Sequence, residues 1–266
     1  MELAYIKKGV LFKWYKMKIA IKKHFLTASK SEAARLDSLL ETIKKKKKIV
    51  VLASGPSALK LQPSDDAFYV VTNDSYKMVA DKDFLYYIKD GYFVNRFIAN
   101  GPYTKKHQHT LFYWLKAKEK DVKSFDFFQE NLRIEDSHNF YYFSDLLNNN
   151  FSEREWIGFY DFVTKENKLP FKIQNSGIFI LLLGFYLSSQ TNLPLEIYGL
   201  DLGVGGNVHF NNKGHVGDAV TRDDIKKNVK MYLDSIYKSL GMEVENHSNF
   251  YQTKNCVPSK CLAQNG

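Results

Sequence analysis

Cysteine is scarce in this sequence: the 266 residues contain two, Cys256 and Cys261. Their C-x₄-C spacing fits no common zinc site, and no second pair completes one. Long apolar runs are also missing, since no stretch of about 18 uncharged apolar residues is present to span a membrane. Lysines interrupt the N-terminal apolar residues, so the continuous apolar core of a signal peptide is absent. These absences predict a cytoplasmic protein in a reducing compartment.

Net charge is also nearly absent once the first 48 residues are set aside. The whole chain carries a formal charge of +9. Residues 1–48 hold fourteen Lys or Arg and four Asp or Glu, whereas the rest hold twenty-four and twenty-five. A neutral body argues against a nucleic-acid surface across the domain, and we expect no nucleic-acid partner.

The basic N-terminal segment, residues 1–47, predicts a helical arm. Apolar residues recur every three to four positions, and lysines fill much of the space between them; the apolar residues are Leu3, Ile6, Val10, Trp14, Met17, Ile21 and Phe25. Such a helix, over residues 1–28, can bind an anionic membrane surface. It can equally pack on its own domain or on another subunit, so a homo-oligomer stays open. A second helix is expected over 27–43, and Lys44–Lys48 are expected to be a solvated lead-in.

Residues 48–266 alternate between predicted strands and helices. Apolar, β-branched or aromatic segments predict strands at 48–54, 67–73, 83–88 and 194–203, with others near 111–114, 139–143 and 242–248. The nearly all-apolar segment 176–190 predicts a buried helix, and 223–240 predicts an amphipathic one. This alternation indicates the α/β class, with a mainly parallel sheet in a single Rossmann-like domain.

Neither complete nucleotide-binding glycine motif, G-x-G-x-x-G or G-x-x-x-x-G-K-[ST], is present. Instead, the first strand ends in Ser54-Gly55-Pro56-Ser57. Gly55 permits close approach of the backbone to a ligand, and Pro56 suits the first position of a helix. Free amides after Pro56 would favour a phosphate. A tight strand-to-helix turn explains the same four residues equally well.

Three further segments place polar residues at predicted strand or helix ends. Asn73 follows the second strand, Asn175-Ser176-Gly177 precedes the buried helix, and Asp201 follows a later strand. Each fits either a ligand site at the carboxyl edge of the sheet or simple capping and turn formation. His209 and His215 lie in the Gly/Asn-rich segment after Asp201. A neutral imidazole there could act as a general base, or could simply be solvated.

Several blocks, in this order, resemble the bacterial lipooligosaccharide sialyltransferases. They are VVLASGPSALKL, VVTNDSYKM, IQNSGIFILLLGFYLSSQTNLPLEIYGLDLG, NKGHVG and NCVPSKCLA, within residues 48–262. The resemblance implies a single-domain, Rossmann-like fold of the GT-A-variant sialyltransferase type that needs no metal and no other cofactor. It implies transfer of sialic acid from CMP-sialic acid to a galactose-type hydroxyl of a glycan or glycolipid, with inversion at the anomeric carbon.

The resemblance also implies roles for particular residues. Ser54, Gly55, Pro56 and Ser57 would face the phosphate and ribose of CMP, and Asn73 would meet the nucleotide. Asn175, Ser176 and Gly177 would belong to the same pocket, with Asp201 at the acid of the family's G-[IL]-D stretch. His215 would be the general base. An enzyme at the inner face of the cytoplasmic membrane would benefit from the basic arm.

Some positions depart from the family pattern. Ser54 stands where the family has Asn, and the family's two leaving-group tyrosines have no clear match, although His209 falls near the second. Lys172 is the nearest cation to the family's Arg. CMP-Kdo or another nonulosonate therefore remains an alternative donor. A metal-dependent pterin pyrophosphokinase-like or flagellin-modifying protein, and a membrane-surface adaptor without activity, remain alternatives of other classes.

Overall fold

The computed structural model describes residues 36–88, 93, 108–114, 139–144, 157–169, 175–202, 230–231, 233–234, 244–250 and 253–256. The chain divides into two compact units, one of residues 1–35 and 88–154, the other of residues 36–87 and 155–266. In the first unit, strands β4 (Gln108–Trp114) and β5 (Asn139–Ser144) pair in parallel, with His109 opposite Asn139.

A parallel sheet forms the centre of the second unit. Its strands are β1 (Lys48–Leu52), β2 (Ala67–Thr72), β3 (Phe84–Ile88), β6 (Leu195–Tyr198), β7 (Val244–Asn246) and β8 (Thr253–Cys256). They lie in the order β3-β2-β1-β6-β7-β8. The first five are parallel, and β8 is antiparallel to β7. The predicted α/β fold with a mainly parallel sheet is therefore confirmed.

The second unit contains helices α1 (Leu36–Lys44), α2 (Ile157–Asp161) and α3 (Ser176–Thr191), and α2 continues into a π-helical turn at Phe162–Glu166. Helix α3 packs on the middle of the sheet. Gly184 allows the contact, because a Cβ there would lie 2.2 Å from Cγ2 of Val51 on β1. The Phe179 ring stacks on Tyr87 with centroids 4.1 Å apart, and Phe159 meets its edge. The sequence predicted α3 as a buried helix because it is apolar on nearly every side, and that prediction is confirmed.

Two 3₁₀ helices, Pro56–Lys60 after β1 and Ser75–Val79 after β2, connect the first three strands. We expected Pro56 to suit the first position of a helix, and it is the first residue of the 3₁₀ helix after β1. The helix is short because Leu61 already has an extended backbone. Because both connections are short, the residues that follow β1 and β2 stay at the edge of the sheet where those strands end.

The lysine run Lys44–Lys48 agrees in part with the expected solvated lead-in: Lys44, Lys45 and Lys47 are exposed, whereas Lys46 and Lys48 are partly buried. Lys44 contacts Glu41, Lys46 contacts Asp83, Lys47 contacts Asp66 and Lys48 contacts Glu196, four lysines with four different acids. The carboxylates come from α1 and from three segments of the sheet. These four lysines and their four acids therefore all lie in the second unit.

The predicted arm falls largely outside the described residues, which begin at Leu36. Helix α1 lies in the same unit as the sheet and buries Leu39 and Ile43 completely. The division into arm and domain at residue 47 stays a prediction, as does the membrane contact of residues 1–28. Within the described part of the chain, no helix combines the length and the apolar character needed to cross a membrane.

Candidate functional site at the carboxyl edge of the sheet

The predicted site segments meet at one edge of the parallel sheet. Residues 54–57 follow β1, Asn73 follows β2, and Asp201 follows β6, the strand that pairs with β1 on its other side. The N-terminus of α3 lies at the same edge, since a Cβ at Gly177 would lie 3.1 Å from Leu200 Cδ1 and 3.8 Å from Ala53 Cβ. Four segments separated by up to 144 residues therefore form one edge, where parallel α/β sheets bind their ligands.

The Asp201 carboxylate holds the turn after β1. Its Oδ2 accepts a hydrogen bond of 2.7 Å from the Ser57 backbone N–H, and its Oδ1 accepts one of 2.5 Å from the Ser57 hydroxyl. Oδ1 also accepts a 2.7 Å bond from the Asn249 backbone N–H. Asp201 is 1 % exposed, so these three donors replace water around the charge. Its carboxylate holds neighbouring loops together at the base of the edge, which agrees with turn formation, one of the two roles that the sequence left open for Asp201.

The prediction of free amides after Pro56 is wrong for the first two residues. The Ser57 amide donates to Asp201, and the Ala58 amide donates to the Gly55 carbonyl at 3.0 Å. An anion-binding turn needs such amides to be available. In this turn the anion is already supplied by the chain itself, in the form of the Asp201 carboxylate.

Gly55 is required by the closeness of β6. Its amide donates to the Gly199 carbonyl at 2.8 Å, and a Cβ at Gly55 would lie 2.5 Å from both the Gly199 carbonyl oxygen and Asp201 Oδ2. The backbone of Gly55 is extended, with φ −71°, so any residue could adopt it. We expected Gly55 to permit close approach to a ligand; in the structure its close neighbours are Gly199 and Asp201, which follow β6, and the contact with a ligand stays a prediction.

The turn after β2 presents Asn73 at the edge. Asn73 has a left-handed backbone with φ 53°, a conformation that asparagine tolerates better than most residues. Its neighbour Asp74 forms an ion pair with Lys77 at 3.0 Å, which balances the charge of that carboxylate. Asn73 is partly exposed, and among the described residues its side-chain amide has no hydrogen-bond partner. None of the residues that the structure places therefore occupies its donor or its acceptor.

The N-terminus of α3 combines a cap with an open hydroxyl. Asn175 Oδ1 accepts from the amides of Gly177 at 2.7 Å and Ile178 at 3.4 Å, so Asn175 caps the helix. Ser176 is partly exposed, and its hydroxyl has no partner within the part of the chain that the structure describes. Capping explains the choice of Asn175, while Ser176 remains available to a ligand.

Exposure separates the predicted residues into two groups. The partly exposed group can contact a ligand and consists of Ser54, Pro56, Asn73, Asn175 and Ser176. The buried group lies beneath the partly exposed residues and consists of Gly55, Ser57, Gly177 and Asp201. Whether the first group binds CMP stays a prediction.

Three supporting residues were missed by the sequence analysis. Ser75 is fully buried; its Oγ lies 2.7 Å from the carbonyl oxygens of Leu52 and Thr72 and accepts from the Thr72 amide at 3.1 Å. Ser248, also fully buried, accepts from the Leu200 amide at 3.0 Å, and Asn249 donates to Asp201. The only sequence signal was a polar pair, Ser248-Asn249, after a strand, which is typical of any turn.

Beside this edge, the last residue of β6 carries a strongly perturbed phenol. Burial raises the pKa of Tyr198 far above its usual range, and the carboxylate of Glu196, 3.3 Å from the hydroxyl, adds to the shift. The Tyr198 ring stacks on His247 with centroids 4.4 Å apart. Tyr198 therefore keeps its proton at physiological pH, and its hydroxyl donates a hydrogen bond to Glu196 Oε2.

Both candidate histidines, His209 and His215, lie outside the described residues, as does Lys172. Within the described ranges, no three His, Cys, Asp or Glu side chains form a group that could hold a metal ion. The expectation of a metal-independent reaction stays a prediction, because both histidines lie outside those ranges.

Comparison of the chain with protein-family models, with curated proteins and with solved structures found no match in any of the three. The resemblance to the sialyltransferases therefore stays a prediction.

Proposed function

We propose that the protein is a glycosyltransferase that moves an acid sugar, sialic acid or a related nonulosonate, from a CMP-activated donor to a galactose-type hydroxyl of a glycan or glycolipid. The observation that carries the proposal is the meeting of four distant segments at the carboxyl edge of a parallel sheet. Open α/β sheets bind nucleotides at this edge. The order of the sequence blocks, which resembles one CMP-dependent family, supports the choice of nucleotide.

The nucleoside of the donor binds at the edge between Asn73, after β2, and Ser176, at the N-terminus of α3. Asn73 offers both a donor and an acceptor, which suits a ribose hydroxyl or a base edge, and Ser176 offers a hydroxyl. The turn after Pro56 is the less favourable place for the phosphate, because its amides already bind the Asp201 carboxylate. A second negative charge there would be repelled.

The chemical step follows from the resemblance. The acceptor hydroxyl gives its proton to the neutral imidazole of His215 while its oxygen forms a bond to the anomeric carbon. The bond from that carbon to the phosphate oxygen breaks, and CMP leaves with the electron pair. Attack opposite the leaving group inverts the anomeric centre. General-base help of this kind contributes about 10²–10⁴-fold in rate.

Calorimetric titration with CMP tests the nucleotide site. We expect binding by the wild type and about two- to tenfold weaker binding by Asn73→Gly, which keeps the left-handed turn but removes the amide hydrogen bond. Asn192→Gly is the matched control: Asn192 is also left-handed, with φ 57°, but lies at the C-terminus of α3, before β6 begins. Absence of binding at millimolar CMP, with an intact fold, would refute the proposal and favour an adaptor.

A donor screen with CMP-sialic acid, CMP-Kdo and UDP-sugars, with and without EDTA, tests the reaction. We expect turnover with one of the CMP donors in the presence of EDTA. His215→Ala should lose turnover while retaining CMP affinity. Turnover that disappears with EDTA contradicts the metal-independent reaction and favours a metal-dependent class. Wild-type turnover in His215→Ala would remove that residue as the base.

A further inference from the structure

Three buried serines bridge the loops at the carboxyl edge of the sheet. Ser57, Ser75 and Ser248 are each at most 2 % exposed, and each bonds through its hydroxyl to a backbone group of another loop or strand end. Hydroxyls that are buried this completely need such partners, since an unmet hydrogen bond in the interior is costly. The three serines are spread over nearly 200 residues of sequence, yet they follow three strands, β2, β1 and β7, that lie close together in the sheet, with only β6 between β1 and β7.

The hydrogen bonds of these serines connect neighbouring strand ends one after another, from β2 through β1 and β6 to β7. Ser75, in the turn after β2, reaches the carbonyl of Leu52 at the end of β1. Ser57, in the turn after β1, accepts from the Gly199 amide at 2.9 Å and donates to Asp201, both of them after β6.

The loop after β7 completes the series. Ser248 Oγ accepts from the Leu200 amide, while the next amide, that of Asn249, donates to Asp201. Ser248 is itself held by Asn246 Oδ1, which accepts from its amide at 3.0 Å. Each loop is therefore tied to the end of a neighbouring strand, and Asp201 joins the two loops that flank β6.

We propose that this hydroxyl–carboxylate relay, made of Ser75, Ser57, Asp201 and Ser248, consists of positioning residues that hold the nucleotide-binding edge in one arrangement. The proposal rests on the proposed function for the identity of the ligand. Serine hydroxyls suit the task, because one oxygen can accept from an amide and donate to a second group at the same time. A site that is fixed before the ligand arrives loses less freedom on binding.

The relay has a consequence that a purely local role lacks. Removing a hydroxyl at the β7 end should loosen the turn after β1, although Ser248 makes no hydrogen bond to that turn. The connection passes from the 248–249 loop through Asp201 to the Ser57 amide.

The experiment compares Ser248→Ala and Ser75→Ala with Ser188→Ala. Ser188 is a fully buried serine whose hydroxyl donates to the Leu193 carbonyl at 2.5 Å, near the C-terminus of α3 and the start of β6. Amide hydrogen exchange at Gly55 and Ser57, urea denaturation and CMP affinity are measured for all three. We expect Ser248→Ala to speed exchange at Ser57 selectively and to weaken CMP binding about two- to fivefold. Ser75→Ala should weaken it by about two- to tenfold.

Ser188→Ala should lower global stability to a similar extent and leave CMP affinity within about 1.5-fold of the wild type. Unchanged exchange at Ser57 in Ser248→Ala overturns the relay, and faster exchange with unchanged CMP affinity overturns its positioning role. If Ser248→Ala fails to fold, Ser75→Ala decides by the same criteria at the other end, with exchange read at Gly55. If the wild type does not bind CMP, the proposed function fails, and selective exchange still decides whether the relay exists.

Discussion

Replacing Gly55 with alanine is the sharpest steric perturbation that the site offers. A Cβ at this position would lie 2.5 Å from the Gly199 carbonyl oxygen, 2.5 Å from Asp201 Oδ2 and 2.9 Å from Asp201 Cβ. Ordinary contacts between such atoms begin at about 3.5 Å. The turn and the end of β6 must therefore separate by roughly 1 Å. The extended backbone of Gly55 accepts alanine without strain, so the whole effect comes from the collision.

The loss of stability in Gly55→Ala depends on which groups must move to relieve this collision. Gly199 cannot retreat easily, because a Cβ built on it would already lie 2.3 Å from the Ala53 carbonyl and its φ is +73°. Separation stretches the Gly55–Gly199 backbone bond and the bonds between Ser57 and Asp201. Overpacking costs about 1–3 kcal/mol and each weakened hydrogen bond about 1 kcal/mol, so we expect a loss of about 3 kcal/mol in the free energy of unfolding.

Urea denaturation measures that loss, and CMP titration tests its effect on the site. Gly184→Ala is the matched control, because its Cβ would collide with Val51 in the core between α3 and β1. It should lose about 1–2 kcal/mol, since the better helix propensity of alanine offsets part of the overpacking. Its CMP affinity should be unchanged, whereas that of Gly55→Ala should fall. Stability of Gly55→Ala within about 0.5 kcal/mol of the wild type would refute the steric reasoning.

Two further predictions concern pH and the N-terminal arm. Burial raises the pKa of Tyr198 above the usual value of about 10, so the folded protein keeps this proton after the unfolded chain has lost it. Stability is therefore complete below about pH 10 and falls above it, by at most about 1.4 kcal/mol per pH unit for this phenol. Tyr198→Phe should reduce that alkaline slope in urea denaturation between pH 8 and pH 11. A slope unchanged from the wild type would contradict the argument, although Tyr69 and Tyr186, with pKa values also raised by burial, leave a residual slope. Deleting residues 1–35, which leaves α1 intact, should release the protein from anionic vesicles without changing CMP affinity; equal vesicle binding after deletion would rule out a membrane role for the arm.

The strands and the central helix could be predicted because their apolar sequences are stable only in the buried core. The run Ile49–Leu52 and helix α3 are apolar almost without interruption, and only complete burial satisfies such segments. The lysine run could not be predicted in the same way. Its partners Asp83 and Glu196 come from other strands, and nothing local to the lysines indicates which acids will face them.

The site was predictable as a set of positions and unpredictable as a set of contacts. Polar residues at strand ends indicate an edge, and the parallel order brings those ends together. Which loops touch depends on which strands are neighbours, and β1 pairs with β6 across nearly 150 residues of sequence. The pairing of Ser57 with Asp201 follows from that adjacency. The sequence of the turn does not distinguish a turn that binds an external anion from one that binds a carboxylate of the same chain, since a glycine, a proline and available amides suit both.

The buried carboxylate limits how a nucleotide can be oriented at this edge. At an effective dielectric constant of 20, two negative charges 4 Å apart repel by about 4 kcal/mol, which is more than a few hydrogen bonds restore. A phosphate on the turn after β1 would compete with Asp201 for the Ser57 amide, which already donates to that carboxylate. On the β2 side, Lys77 lies 3.0 Å from Asp74 Oδ1, so part of that negative charge is offset and the repulsion of a phosphate is weaker. The charge distribution therefore favours a nucleotide whose phosphate points away from β6, with its nucleoside beside Asn73. Substitution of Asp201 would then act on CMP affinity through the loops it holds and not through loss of a direct contact.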